Sequence, residues 1–352
     1  MAHYVEDRSE QSSGKKKKRM NKGTRILRNI VIVIVIIALL LGAAVFVLDH
    51  FGRGKLTGDA NMTTIDSAEL DNAGRVRYKG KTYEYKKDIT TLLLMGVDSR
   101  SKEESEGEFG ASNQSDMNVL AAFDPTTSQI TLISISRDAM VEMEVLDELG
   151  NSNGTATAQL ALSYSYGDGG DASCRLTRDA VSGLFYDLPI HAYASIYLNG
   201  VADLVGEIGG VSVKALETFG EFREGETVEL TRSNTENYIR HREHTVDGNN
   251  QRMERQKQVL MAMAKTMLSR VREKPISALT VYDAVKRNVP TDLNTSSILY
   301  LARTAARMHM NDSVLKVQGE SVLGEGNHAE FHVDETALFE MILSVFYTPV
   351  AD

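Results

Sequence analysis

Cysteine is almost absent from this chain. Its 352 residues hold one, Cys174, which excludes an intramolecular disulfide framework and any cysteine-based zinc site. Stability must come from core packing. Positive charge is also scarce over most of the length. Nine Lys and Arg fall within residues 1–29, against Glu6, Asp7 and Glu10. That segment carries about +6, which leaves about −15 on the remainder of a chain whose net charge is −9. So acidic a remainder argues against nucleic-acid binding, whose affinity rests on phosphate contacts. No internal repeat is present.

One stretch lacks polar groups entirely. Residues 30–48 read IVIVIVIIALLLGAAVFVL. As a helix rising about 1.5 Å per residue, this run matches a hydrocarbon core of about 30 Å. The alternatives are a buried core helix and a cleaved signal peptide. A signal's apolar region is about 7–15 residues long and ends in small residues, whereas this one is longer and ends in FVLDHFGRG. Lys15, Lys16, Lys17, Lys18, Arg19, Lys22, Arg25 and Arg28 precede the run, and Arg53 and Lys55 follow it. The positive-inside rule then places the N-terminus in the cytoplasm and the rest outside. The basic tail suits anionic lipid headgroups.

The expected organisation is a cytoplasmic tail at 1–29, a transmembrane helix at 30–48, a membrane-proximal segment at 49–87 and an extracellular domain at 88–352. A short hairpin is expected at VRYKGKTYEY. TTLLLMGV (90–97), MNVLAAFD (117–124), QITLISIS (129–136) and HAYASIYL (191–198) read as strands. Residues 172–185, 199–210 and 251–273 read as helices, the second closed by glycine. The long helix carries Met253, Leu260, Met263, Met267 and Val271 in an apolar stripe, read as core. Strands alternating with helices give an α/β class, with a mixed central sheet flanked by helices.

Charged groups gather at strand ends. Asp98 and Arg100 follow the first strand, Asp116 opens the second, and Arg137 and Asp138 follow the third. Arg240 and Arg242 lie in NYIRHR, and Arg252, Arg255 and Gln256 lie on the first turns of the long helix. Arginine forks match phosphate oxygens, and carboxylates beside them suit Mg²⁺. The same residues also suit structural salt bridges, and spacing alone leaves both readings open. HREH (241–244) lacks a carboxylate framework for zinc and reads as surface histidines. GDGGD (167–171) reads as a turn, not a calcium loop. NMT and NTS are glycosylation sequons by pattern only.

The order GVDSR, SD, SISRD, YSYGDGG, EIGGV, YIRHR, QRMERQ, behind a basic tail and one apolar run, resembles the LytR–CpsA–Psr family. The likeness runs from about Asp88 to the end of the long helix. It implies an α/β/α domain with an apolar pocket for a polyprenyl chain. It implies an enzyme that moves a glycopolymer from an undecaprenyl-pyrophosphate carrier to a peptidoglycan hydroxyl. By the same resemblance, Asp98 and Asp116 are linked to magnesium. Arg100, Arg137, Arg240, Arg242 and Arg252 bind phosphate, joined by Gln256 and, in a less defined role, Arg255. Asp138 and Asp247 are catalytic candidates, the latter as a base. Alternatives are a non-catalytic polyprenyl-phosphate-binding membrane protein acting as an envelope-related transcriptional attenuator, and a lipid pyrophosphatase. The sequence departs from the family pattern at Ser136 (usually proline), Gln159 (usually lysine) and Arg232, Thr235 and Glu236 (usually Gly, Ala and Leu).

Two geometric expectations follow. The arginines should converge in space. A long apolar slot should lie beside them, walled by the strands at 90–97 and 117–136 and the helix at 172–185.

Overall fold

The computed structural model describes residues 50–60, 62–101, 104, 113–241, 248–324 and 328–350. The apolar run at 30–48, Arg242 and Asp247 lie outside them. No helix among the described residues is long and apolar enough to cross a membrane.

The strands, in chain order, begin with β1 (Glu69–Leu70), β2 (Val76–Tyr78), β3 (Lys81–Tyr85), β4 (Thr90–Val97), β5 (Ser115–Asp124) and β6 (Gln129–Ile135). A hairpin follows, β7 (Met140–Leu146) and β8 (Ser152–Gln159), then helices α1 (Leu160–Ser165) and α2 (Asp171–Leu184). Next come β9 (Ala192–Tyr197), α3 (Leu198–Glu207), β10 (Val211–Lys214), β11 (Thr227–Leu230), α4 (Thr235–Arg240) and α5 (Gly248–Glu273). The chain closes with α6 (Ser277–Val285), α7 (Thr295–Ala305), β12 (His309–Met310), β13 (Leu315–Lys316), β14 (Gly319–Leu323), β15 (Ala329–Val333), α8 (Glu335–Phe346) and β16 (Tyr347–Val350).

The central sheet runs β12-β6-β5-β4-β9, with β13 also on the β6 edge. The β4–β5 and β5–β6 pairs are antiparallel, while β4–β9, β12–β6 and β13–β6 are parallel. β4 is apolar on both faces because both are covered. Leu93, Met95 and Val97 point into one core cluster with Cys174, Ala180, Val181 and Phe339, from α2 and α8. Leu92 and Leu94 point the other way, toward α5, α6 and α7. The mixed sheet flanked by helices is therefore as the sequence led one to expect.

Local chemistry sets several boundaries. Asn294 and Asp334 cap α7 and α8, accepting from the Ser297 and Ala337 N–H groups at 2.9 Å each. Gly209 and Gly210 end α3 with φ of 85° and 92°, angles costly for any side-chained residue. The hairpin at β2–β3 forms as read, and β3 also pairs with β16. The described residues of 50–87 are thus built into the same compact unit as the rest of the described chain. Within that segment, residues 50–56 are helical. Leu56 is buried against Leu92 and Tyr300, and a Cβ on Gly52 would meet the Ser296 carbonyl at 2.6 Å.

Candidate functional site

The β4–β5 ladder carries a bulge between Gly96 and Val97, where the register shifts to pair Val97 with Ser115. Bulges re-aim the chain beside active sites. Here the bulge lies at the end of β4, just before Asp98. The Asp98 amide donates to the Gln114 carbonyl at 3.2 Å. The turn after Asp98 is held by the start of α3: Leu198 and Asn199 N–H groups donate to the Ser99 and Arg100 carbonyls, both at 3.0 Å.

Asp116 is the meeting point. Its side chain is 11% exposed. Arg137 binds one carboxylate oxygen, and Arg252 approaches the other at 3.5 Å. Arg137 also donates to Gln114 Oε1 and lies 3.5 Å from Asp138. Asp98 and Asp116 line one cavity mouth together with Gln256. An adjoining polar pocket of about 270 Å³ is lined by Asp98, Arg100, Glu104 and Arg240. Arg240 makes an i,i+4 pair with Glu236 at 2.9 Å. Burial and the like charge of Asp98 push the Asp116 carboxyl upward; Arg137 and Arg252 pull against them without reversing the direction.

The expected residues therefore converge: Arg100, Arg137, Arg240, Arg252, Asp98, Asp116, Asp138 and Gln256 sit around one mouth. Arginine charges packed together repel, and the carboxylate of Asp116 between two of them offsets part of this. Arg255 is placed elsewhere, with its guanidinium buried against the Tyr238 and His241 carbonyls and Glu217. Gln114 was missed by the sequence reading. Its signal was available: two residues from Asp116 along an extended segment, it shares that side chain's face.

Behind the mouth runs an apolar slot. A small cavity of about 70 Å³ at Asp98 and Asp116 shares Met117, Ile196, Leu260 and Met263 with one of about 330 Å³. That one shares Leu94, Ala264, Met267 and Ile298 with a third of about 300 Å³, which reaches Leu92, Phe123 and Met310. Six residues of β4, at about 3.3 Å each, make the slot about 20 Å long. Its walls are the sheet, α5, α6 and α7. This corrects one expectation: α2 lies on the opposite face of the sheet. The stripe of Met263 and Met267, read as core, faces the sheet but lines a void and does not fill it.

The departures from the family pattern have local partners. Ser136 Oγ accepts from the Asp138 N–H at 3.3 Å. Gln159 donates to the Ala329 carbonyl at 3.2 Å. Arg232 pairs with Glu207 at 3.1 Å, and Glu236 holds Arg240.

No three His, Cys, Asp or Glu side chains among the described residues form a protein-only metal cage. Mg²⁺ is commonly held by one or two carboxylates plus phosphate oxygens. Asp98 and Asp116, close enough to raise the Asp116 carboxyl, fit that mode.

Comparison with known proteins gives the family and the fold. Residues 55–343 match the LytR_cpsA_psr family. The Bacillus subtilis polyisoprenyl-teichoic acid–peptidoglycan teichoic acid transferase TagV is 24% identical over 313 residues, covering 85% of this chain and 75% of that protein. The transferase of the same activity, TagU, from Halalkalibacterium halodurans is 29% identical over 241 residues, covering 66% and 70%. The crystal structure of B. subtilis TagV shares the fold, with a TM-score of 0.54 at 22% identity over 73% of this chain and 94% of that one.

Proposed function

The chain belongs to the LytR–CpsA–Psr family, and we propose that it is a membrane-anchored transferase that moves a phosphate-linked glycopolymer from a polyprenyl-pyrophosphate carrier to a sugar hydroxyl of peptidoglycan. The observation that carries this reading is the apolar slot opening onto a mouth of arginines and carboxylates. An apolar tail with a pyrophosphate head has that same polarity, and undecaprenyl pyrophosphate is the carrier proposed. The relatives named above carry teichoic acid to peptidoglycan in their names, which supports a glycopolymer as cargo.

In this reading the tail lies among Leu94, Met263, Met267 and Ile298, and the pyrophosphate among Arg100, Arg137, Arg240 and Arg252. The acceptor hydroxyl forms a new O–P bond to the phosphorus bearing the glycan. The bond from that phosphorus to the bridging oxygen breaks, and the lipid leaves as polyprenyl monophosphate. Charge on the leaving phosphate is balanced by the arginines. Asp98 and Asp116 would hold Mg²⁺, which supplies further neutralisation when bound. Asp138, 3.5 Å from Arg137, is one candidate to take the hydroxyl proton, and Asp247 is the other. The apolar run at 30–48 would keep the domain beside the bilayer that carries the donor, with the N-terminus in the cytoplasm.

The test uses the full chain in detergent with a polyprenyl-pyrophosphate-linked oligosaccharide and peptidoglycan fragments. Polyprenyl monophosphate should appear only when acceptor is present, with glycan joined to it through phosphate. Release at the same rate without acceptor would make the protein a lipid pyrophosphatase. Tight binding with no release would leave a lipid-phosphate-binding protein.

A further inference from the structure

Arg255 heads the described residues in size among side chains with almost no exposure; it is 1% exposed. A guanidinium keeps its charge, so burying one is costly unless its donors are used. Here Nε donates to the Tyr238 carbonyl at 2.9 Å. Nη2 donates to the His241 carbonyl, and Nη1 pairs with Glu217. The flat face lies over Phe219, 5.1 Å from the ring centroid. Phe219 in turn stacks on His241, with centroids 3.9 Å apart and planes 3° from parallel.

The groups so held are the end of α4. The last carbonyls of a helix have no partner within it, and a cation there is favourable. Arg255 takes the Tyr238 carbonyl and that of His241, the residue just after the helix, and Gln256 donates to the Ile239 carbonyl between them at 3.4 Å. Arg240, which lines the polar pocket, lies inside this clamped stretch. Arg252, one turn earlier on α5, reaches Asp116. The guanidinium fork therefore fixes the spacing between the wall that carries Arg240 and the wall that carries Arg252 and Gln256. Lysine has one donor centre and could not bridge both carbonyls and the carboxylate.

We propose that Arg255 is a positioning residue: with Glu217 and Phe219 it forms a buried clasp that locks α4 to α5 and so shapes the phosphate cradle without touching substrate. Only the kinetic arm of the test rests on the transfer reading.

The first arm needs no reaction. Spin labels on Asn237→Cys and Glu254→Cys, both at exposed positions while Cys174 is buried, report the α4–α5 distance in the full chain. Arg255→Lys should broaden the distance distribution, and Arg252→Ala should leave it as in the parent. A distribution equally narrow in Arg255→Lys overturns the proposal. Should that variant fail to fold, Glu217→Gln, which keeps size and removes one anchor of the fork, carries the same expectation and the same overturning result. In the second arm, Arg255→Lys should lower kcat about tenfold to a hundredfold with KM for the lipid-linked donor within about threefold. A raised KM at unchanged kcat would mean that Arg255 grips the headgroup. A loss of activity matched by an equal loss of folded protein would mean a purely structural role. Absence of turnover in the parent would overturn the transfer reading, while the label distances still decide the clasp.

Discussion

Asp116 shows how one side chain can serve two opposing demands. It balances Arg137 and Arg252, yet it is mostly buried beside Asp98, and its carboxyl is pushed upward. A folded-state pKa above the unfolded value gives stability that is complete below about 3.9 and is lost as pH rises through the folded value. Asn cannot lose it. Asp116→Asn should therefore gain on the parent in melting temperature as pH is raised from about 3.5 to 6.5. A difference that is flat or falls with pH would show that the arginines outweigh burial. The arginines themselves separate by depth. Arg240→Ala breaks an exposed pair with Glu236 and should cost about 0.3–0.5 kcal/mol. Arg137→Ala strips Asp116 of its closest partner and should cost about 1–3 kcal/mol. Either should cut transfer about tenfold to a thousandfold. Equal melting losses for the two would contradict the geometry.

At the scale of elements, α5 does three jobs from three faces. Arg252 and Gln256 face the mouth, Arg255 faces the clasp, and Leu260, Met263 and Met267 line the slot. A 26-residue helix suits this: at about 100° per residue, Gln256 lies about 40° from Arg252 on one side and Arg255 about 60° from it on the other. The slot is a void of the fold and not a packing fault, so filling it should be cheap. Ala264→Phe projects a ring into the space shared by the two larger cavities. It should leave the melting temperature unchanged or raised, and should weaken binding of a fluorescent polyprenol about tenfold or more. Inorganic pyrophosphate binding should be untouched. Unchanged polyprenol affinity would place the tail elsewhere.

For the molecule as a whole, topology is the property to measure. The charge imbalance about the run at 30–48 predicts a cytoplasmic N-terminus and an exterior C-terminus. A phosphatase reporter fused after Asp352, active only outside the cytoplasm, should be active. An active cytoplasmic reporter at that end would reverse the reading. The described unit fits an exterior role in one physical respect: its single cysteine is buried, with the thiol pushed up to about 12 by burial, so it is a poor nucleophile toward oxidants.

The sequence by itself determined the parts. The apolar run LLLMGV behind two threonines gave β4, since a strand covered on both faces admits no regular polar alternation. The 3.6-residue stripe gave α5, and EIGG gave the end of α3, because only glycine takes those angles cheaply. The strand-end arginines and aspartates were legible as a candidate site from their chemistry. Tertiary structure decided how the parts met. Arg100 and Arg252 are 152 residues apart, and no local signal encodes their convergence. A helical stripe of Leu and Met looks the same whether it packs solid or borders a void, so the resemblance implied the slot and its sheet wall, but its helical wall was assigned to α2 when α5, α6 and α7 form it. Arg252 and Arg255 read as the same residue in the same motif. Only the turn of the helix, which aims one at Asp116 and the other at the end of α4, gave them different work.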